Sequence, residues 1–237
     1  IKTDSTASQA QQDQKGNYWD SFLNIDLNYD KRNQKFQTSS GFKSYYSLDL
    51  PVISKKNTLK NYYSYSHYFD LFDQNVSTFS LMFRTANSIS NDNIKLSERI
   101  NLPSSKLRGF EVGRIGPKDG EDFIGGNYAA AINFSSTMPQ IFEESQNVEL
   151  LYFFDVANLW GVDYDSTLDD SGSIRSSTGV ALDWFTPIGP LNFSLALPIT
   201  KKNESFANIF KREDDNSISH FYTEDFYKNF INKKSSF

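Results

Sequence analysis

The sequence predicts an all-β fold: the wall of an antiparallel transmembrane β-barrel, with about eight or nine meandering strands and one long insertion. Three observations predict it. Apolar and polar residues alternate with a period of two through most of residues 18–200. Aromatic residues make up 16% of the 237-residue chain, as 21 Phe, 13 Tyr and 3 Trp, a share natural where aromatic girdles sit at both bilayer interfaces. Residues 88–126 form a polar stretch between two alternating runs, and a stretch that long inside a compact domain is more often functional than accidental.

The strands follow in order. Residues 1–17 are mostly Gln, Ser, Thr and Asp with little to bury, and read as a polar loop or arm. From Trp19, the residues Leu23, Ile25, Leu27 and Tyr29 share one face, and Asp20, Asn24, Asp26, Asn28 and Asp30 the other. Phe42, Tyr46, Leu48, Leu50 and Val52 oppose Lys43, Ser47 and Asp49; Tyr63, Tyr65, Phe69 and Leu71 oppose Ser64, Ser66 and Asp70; Phe79, Leu81 and Phe83 oppose Thr78, Ser80 and Arg84. After the insertion, Tyr128, Ala130, Ile132 and Phe134 face away from small and polar residues suited to a lumen. Val148, Leu150, Tyr152, Phe154 and Val156 then oppose Glu149, Asp155 and two apolar residues, and Val180, Leu182 and Trp184 oppose Gly179, Ala181 and Asp183. The cleanest run sets Leu191, Phe193, Leu195, Leu197 and Ile199 against Asn192, Ser194, Ala196 and Pro198.

The connectors read as 30–41, 52–59, 71–77, 86–126, 136–147, 158–177 and 186–190. Barrel connections alternate between short and long ends, which puts 86–126 and 158–177 on one side and the Pro/Gly turn 186–190 on the other.

Composition narrows the function classes. No run approaches the roughly 18 apolar residues of a membrane-crossing helix, whereas barrel strands carry a much weaker hydropathy signal. Zero Cys excludes disulfides, thiolate metal sites and a cysteine nucleophile. A net charge of −5 with scattered Lys and Arg argues against a nucleic-acid partner. No signal peptide is visible at Ile1, which for an exported barrel suggests a start inside a longer precursor.

Asp163, Asp165, Asp169 and Asp170 do not have EF-hand spacing and read as a solvated loop. His67 and His220 have no ligand-spaced neighbours. No phosphate-loop Lys follows the glycines of the insertion, and no nucleophile or carboxylate arrangement stands out, so neither cofactor, metal nor catalysis is expected.

Within the insertion the order Leu107-Arg108-Gly109-Phe110, Ile115-Gly116-Pro117 and Ile124-Gly125-Gly126-Asn127 resembles the signature loop of the BamA-type outer-membrane protein insertase family, the bacterial surface antigen barrel, whose first element is usually Val-Arg-Gly-Phe. Residues 151–158, LYFFDVAN, resemble its Phe-x-Asp-x-Gly strand motif, with Ala157 in place of the glycine. Residues 173–191 resemble its penultimate hairpin, R-x-S-x-G-x-G-x-x-W-x-SP-x-GPL. The resemblance covers residues 19–200.

That resemblance implies the C-terminal half of an outer-membrane barrel (18–200), preceded by the arm 1–17 and followed by an atypical tail, 201–237, that contains a possible last strand. It also implies a loop that folds back into the lumen. An Arg there needs a carboxylate to offset its desolvation, and strand parity makes Asp155 the best partner for Arg108. Gly109 would supply a conformation that a Cβ resists and Phe110 an apolar anchor, with bends at Gly116, Pro117, Gly125 and Gly126.

The implied function is non-enzymatic assembly and insertion of barrel proteins at the bacterial outer membrane, by strand pairing and lateral release. The implied partners are the lipid bilayer, unfolded outer-membrane protein clients, accessory assembly lipoproteins and periplasmic chaperones. A sibling secretion or translocation pore of the two-partner or TamA type, or a porin or receptor-like barrel, are the alternatives. Residues 201–237 depart from the family ending: Lys211–Asn216 spell KREDDN, Ser217–Tyr227 offer only a weak replacement strand, and Phe237 is the terminal aromatic.

Overall fold

Eight strands make one continuous antiparallel meander in the computed structural model, which describes residues 8–17, 19–54, 56–72, 75–90, 92–138, 147–187 and 189–200. They are β1 (Ser21–Asp30), β2 (Gly41–Ile53), β3 (Thr58–Phe69), β4 (Ser77–Ser88), β7 (Tyr128–Thr137), β8 (Val148–Trp160), β9 (Arg175–Thr186) and β10 (Gly189–Thr200). The two-residue strands β5 (Lys118–Asp119) and β6 (Asp122–Phe123) form a small hairpin inside the insertion. Sheet order follows chain order, so β4 pairs directly with β7 across the insertion. The eight wall strands run from 10 to 13 residues, enough to cross a bilayer at the usual tilt, which takes roughly 9–11.

Burial along these strands is inverted relative to a soluble sheet. On β10, Leu195, Leu197 and Ile199 are exposed while Ser194 and Ala196 are buried. On β8, Tyr152 and Phe154 are exposed while Phe153 and Asp155 are fully buried. With small and polar residues on the opposite face, an apolar face this extensive is that of a wall turned to lipid. His67 belongs to that face, stacked between Tyr65 and Phe69.

The inner face is not uniform. From β4 through β10 it is paved with small or slender residues, Met82, Ala86, Ala129, Ala131, Ala157, Ala181 and Ala196, all buried. From β1 through β3 it is polar, with Asn24 paired to Asp49 and Asp49 to Lys60 across the ladders. The insertion lies on the small-residue side, where its apolar residues find contact area. Against the polar side it leaves a cavity of about 470 Å³ bordered by Asn24, Asp49, Lys60 and Arg84.

The second long connection, residues 161–174, is shorter than the expected 158–177. Asn158, Leu159 and Trp160 continue the ladder to Ala130, Ala129 and Tyr128 of β7, and Arg175 begins β9 opposite Ala157. Beyond the membrane both faces of a strand are wetted, so alternation fades before backbone pairing does. The arm also has structure: α1 (Gln9–Gln12) is a single helical turn, and Gln11 and Gln14 are buried. Residues 1–7 and 201–237, including Ser217–Tyr227, His220 and Phe237, lie outside the described residues.

The face assignment predicts that Ile132→Arg, at an exposed mid-strand position of β7, destabilises the folded barrel by about 2–4 kcal/mol. Denaturant titration in lipid vesicles measures this; a shift below about 0.5 kcal/mol would count against a lipid-facing Ile132.

Candidate functional site: the lumenal loop seat

Asp155 is fully buried on the inner face of β8, with Asn133 directly opposite it on β7. A carboxylate there has lost its water and needs donors within hydrogen-bond reach. It has four. Arg108 Nε donates to Oδ2 at 2.7 Å, Arg108 Nη2 to Oδ1 at 2.7 Å and the Arg108 backbone N–H to Oδ2 at 3.1 Å. Asn133 Nδ2 donates to Oδ1 at 2.8 Å. The same Asn133 amide donates to the Lys106 carbonyl at 3.0 Å, so it holds the loop backbone as well as the carboxylate. The two-point guanidinium contact fixes orientation as well as charge, which a Lys at the same place would not do.

The guanidinium also lies over the Phe153 ring, 3.5 Å from its centroid. Phe153 is itself seated on Gly179 of β9, where a Cβ would collide with the Leu195 backbone carbonyl of β10 and come within 2.9 Å of the Phe153 ring. Gly179 thus leaves the space that the Phe153 ring occupies. Sequence patterning marked Phe153 only as an inward apolar residue and Asn133 only as an inward polar one. Their place in the seat depends on height along neighbouring strands, which parity alone does not state.

Gly109 has φ of +86°, a left-handed conformation that a Cβ disfavours. A Cβ there would also lie 2.9 Å from the Ala196 Cβ, so the loop tip touches the inner face of β10. Leu107 and Phe110 turn the other way, into a buried cluster with Ile94, Ile100, Leu102, Ile115 and Leu159. Lys106 stays at the edge; burial and the nearby Arg108 lower its ammonium below the usual lysine range, with Asp155 acting against them.

Gly116, at φ +95°, presses on Leu159, and Pro117 beside it is fully buried and accepts from the Ile124 N–H at 3.1 Å. Gly125, at φ +71°, packs on the Ile100 carbonyl, and Gly126 on the Trp160 backbone. These four positions therefore lie at the mouth end of the insertion, away from the Arg108 seat.

The four loop aspartates each serve a separate partner. Asp163 pairs with Arg99, Asp165 accepts from the Thr167 N–H, Asp169 accepts from the Gly161 N–H, and Asp170 pairs with Arg175. Among the described residues no acidic or histidine group is arranged to hold a metal.

The profile of the Omp85 superfamily domain matches residues 2–222. The chain is 31% identical over 131 residues to an outer membrane protein assembly factor BamA of Neorickettsia risticii, covering 53% of this chain and 17% of the relative. It is 32% identical over 126 residues to a SAM50-like protein of Schizosaccharomyces pombe, covering 49% and 26% respectively. Among solved structures, BamA from Haemophilus ducreyi lacking POTRA domains 1–3 superposes with a TM-score of 0.71 at 25% identity, over 78% of this chain and 40% of that one. The chain thus spans only a fraction of the length of these relatives.

Removing either partner of the seat leaves a buried charge uncompensated, so Arg108→Ala and Asp155→Ala are each expected to destabilise the barrel by about 3–5 kcal/mol, and the double variant by less than their sum. Urea titration of the four proteins in micelles measures the coupling, and full additivity would reject the pairing. Gly109→Ala is expected to cost about 1–2 kcal/mol through its left-handed backbone, with the contact portion relieved by a second change, Ala196→Gly.

Proposed function

The chain belongs to the Omp85 superfamily, and on that premise we propose that it serves in the assembly and insertion of β-barrel proteins. Its family and its barrel wall place it in the bacterial outer membrane. The observation that supports the proposal is the naming of its bacterial relatives, from Neorickettsia risticii and from Neisseria meningitidis, as outer membrane protein assembly factors. The proposed work is mechanical.

An incoming client strand would pair by β-augmentation with an edge of the wall, exchanging one set of backbone hydrogen bonds for another. Such exchange needs no nucleotide, because every bond broken at the seam is replaced before its groups meet hydrocarbon. The partners in this scheme are the lipid bilayer and unfolded barrel clients, with accessory lipoproteins and periplasmic chaperones delivering them. The Arg108–Asp155 seat does no chemistry in it. It keeps the lumen filled and the β7–β10 wall in shape while the seam opens.

Proteoliposomes carrying the protein, given a urea-unfolded outer-membrane barrel, provide the test. The client is expected to become protease-protected and heat-modifiable faster than with empty liposomes, and Arg108→Ala to slow that rate on the order of tenfold, equivalent to about 1.4 kcal/mol on the barrier. Delivery of client into the liposome interior without insertion would assign the chain to a secretion or translocation pore instead. Solute-selective conductance without any effect on client insertion would assign it to a porin-like barrel.

A further inference from the structure

We propose that the insertion carries a second lock, distinct from the Arg108 seat, in which Lys95, Glu98 and Arg99 are positioning residues that pin the root of the loop to the barrel mouth. The tip, residues 103–114, then leaves and re-enters the lumen while the root, and the bend at Gly116 and Pro117, stay seated at the mouth. The inference rests on this chain's own contacts and holds whether or not the insertion reading does.

Three charged side chains within five residues are almost entirely buried here: Lys95 at 1%, Glu98 at 6% and Arg99 at 0% side-chain exposure. Charges removed from water that far persist only when they are paired. A 3₁₀ turn over Leu96–Glu98 brings Lys95 and Glu98 to the same side. Lys95 Nζ lies 2.6 Å from Asp20 Oδ1 and 3.7 Å from Glu98 Oε1. Asp20 also accepts from Ser54 Oγ at 2.5 Å. Glu98 accepts from the Thr58 hydroxyl on β3, and Thr58 is fully buried. Arg99 pairs with Asp163, donates to Asn127 Oδ1 at 3.0 Å and lies over the Tyr164 ring. Burial acts to raise the Asp20 carboxyl, yet the bonds from Lys95 and Ser54 and the Lys95 charge hold it below its ordinary value.

The backbone is tied at the same place. The Ile94 N–H donates to Asp163 Oδ2 at 2.5 Å and the Leu96 N–H to Gln14 Oε1 at 2.7 Å. Ile100 and Gly126 exchange both backbone bonds, at 2.8 and 3.0 Å, closing the base of the loop. The root is therefore fastened to the arm, to the β2–β3 connection, to β3, to Gly126 and Asn127 just before β7, and to residues 161–174.

The contacts of the tip with wall side chains go elsewhere, from the Lys106 carbonyl to Asn133 on β7 and from Arg108 to Asp155 on β8. The residues that hold the tip, Asp155 and Asn133, are different from those that hold the root, Asp20, Thr58, Asn127 and Asp163. One apolar cluster joins the two, Ile94 and Ile100 of the root with Leu102, Leu107, Phe110 and Ile115, and its contacts are non-directional and do not fix one position along the wall. The tip contains Gly109 and Gly113 and is bounded by Gly116, all at positive φ, as points about which it can turn.

Hydrogen exchange read by mass spectrometry on the full-length protein in micelles tests the separation. In Asp155→Asn, peptides over residues 104–112 are expected to exchange about a hundredfold faster than in the native protein, while those over 94–101 stay within about threefold. Equal loss of protection in both regions would overturn the proposal, because the insertion would then be one cooperative unit. The converse variant, Lys95→Met, is expected to expose 94–101 and leave 104–112 protected, with Lys95→Arg restoring the root. If Lys95→Met fails to give a heat-modifiable barrel, Asp20→Asn removes the same ion pair from the more exposed side. Unchanged exchange at 94–101 in that variant would equally overturn the lock.

Discussion

A carboxylate buried in a barrel wall must have its charge met inside the protein, and Asp155 is met by an arginine 47 residues away in sequence. Much of the interior follows from that requirement. The insertion has to be long enough to bring Arg108 from the mouth into the lumen, and Gly109 has to let the tip turn against Ala196. Gly179 has to leave room for Phe153, so that the ring lies under the guanidinium and takes the place of water on that face. Asn133 supplies the fourth hydrogen bond and ties the Lys106 carbonyl to the same carboxylate. The small residues of β7 to β10 are the counterpart of the loop's bulk, because a lumen filled by a folded segment has little room for large side chains of its own.

The wall was legible from the sequence because lipid and lumen impose opposite polarity on successive residues, and that constraint has a period of two. Runs such as Leu191 to Ile199 or Val148 to Val156 therefore located their strands. Their ends were less legible for the same reason: Asn158, Arg175 and Ser176 pair in the ladder beyond the lipid, where polarity no longer alternates. Parity also placed Asp155 inward, opposite Tyr152 and Phe154, and the LRGF order drew attention to Arg108. It did not rank the inward residues by height, so Asn133 and Phe153 were visible as types and not as members of one seat. The root contacts were less legible still. Lys95, Glu98 and Arg99 find Asp20, Thr58 and Asp163 across segments without any period, and such pairings exist only once the meander has brought the connections to one end.

The two attachments of the insertion differ in kind from the contacts between them. Burying apolar surface stabilises by roughly 25 cal/mol per Å² wherever that surface goes, which favours many positions of the loop almost equally. A buried ion pair behaves otherwise. Its Coulombic gain is largely offset by the desolvation of both partners, so it adds little depth, but displacing one partner strands the other and is strongly unfavourable. Arg108 on Asp155 is therefore selective rather than tight: one geometry is sharply preferred, and a path that rehydrates both charges together need not cross the penalty of either alone. A segment that fills a lumen from one defined seat needs that combination. An all-apolar tip would slide without a defined seat, and a tip secured by many neutral hydrogen bonds would have no comparable way to be released as a unit.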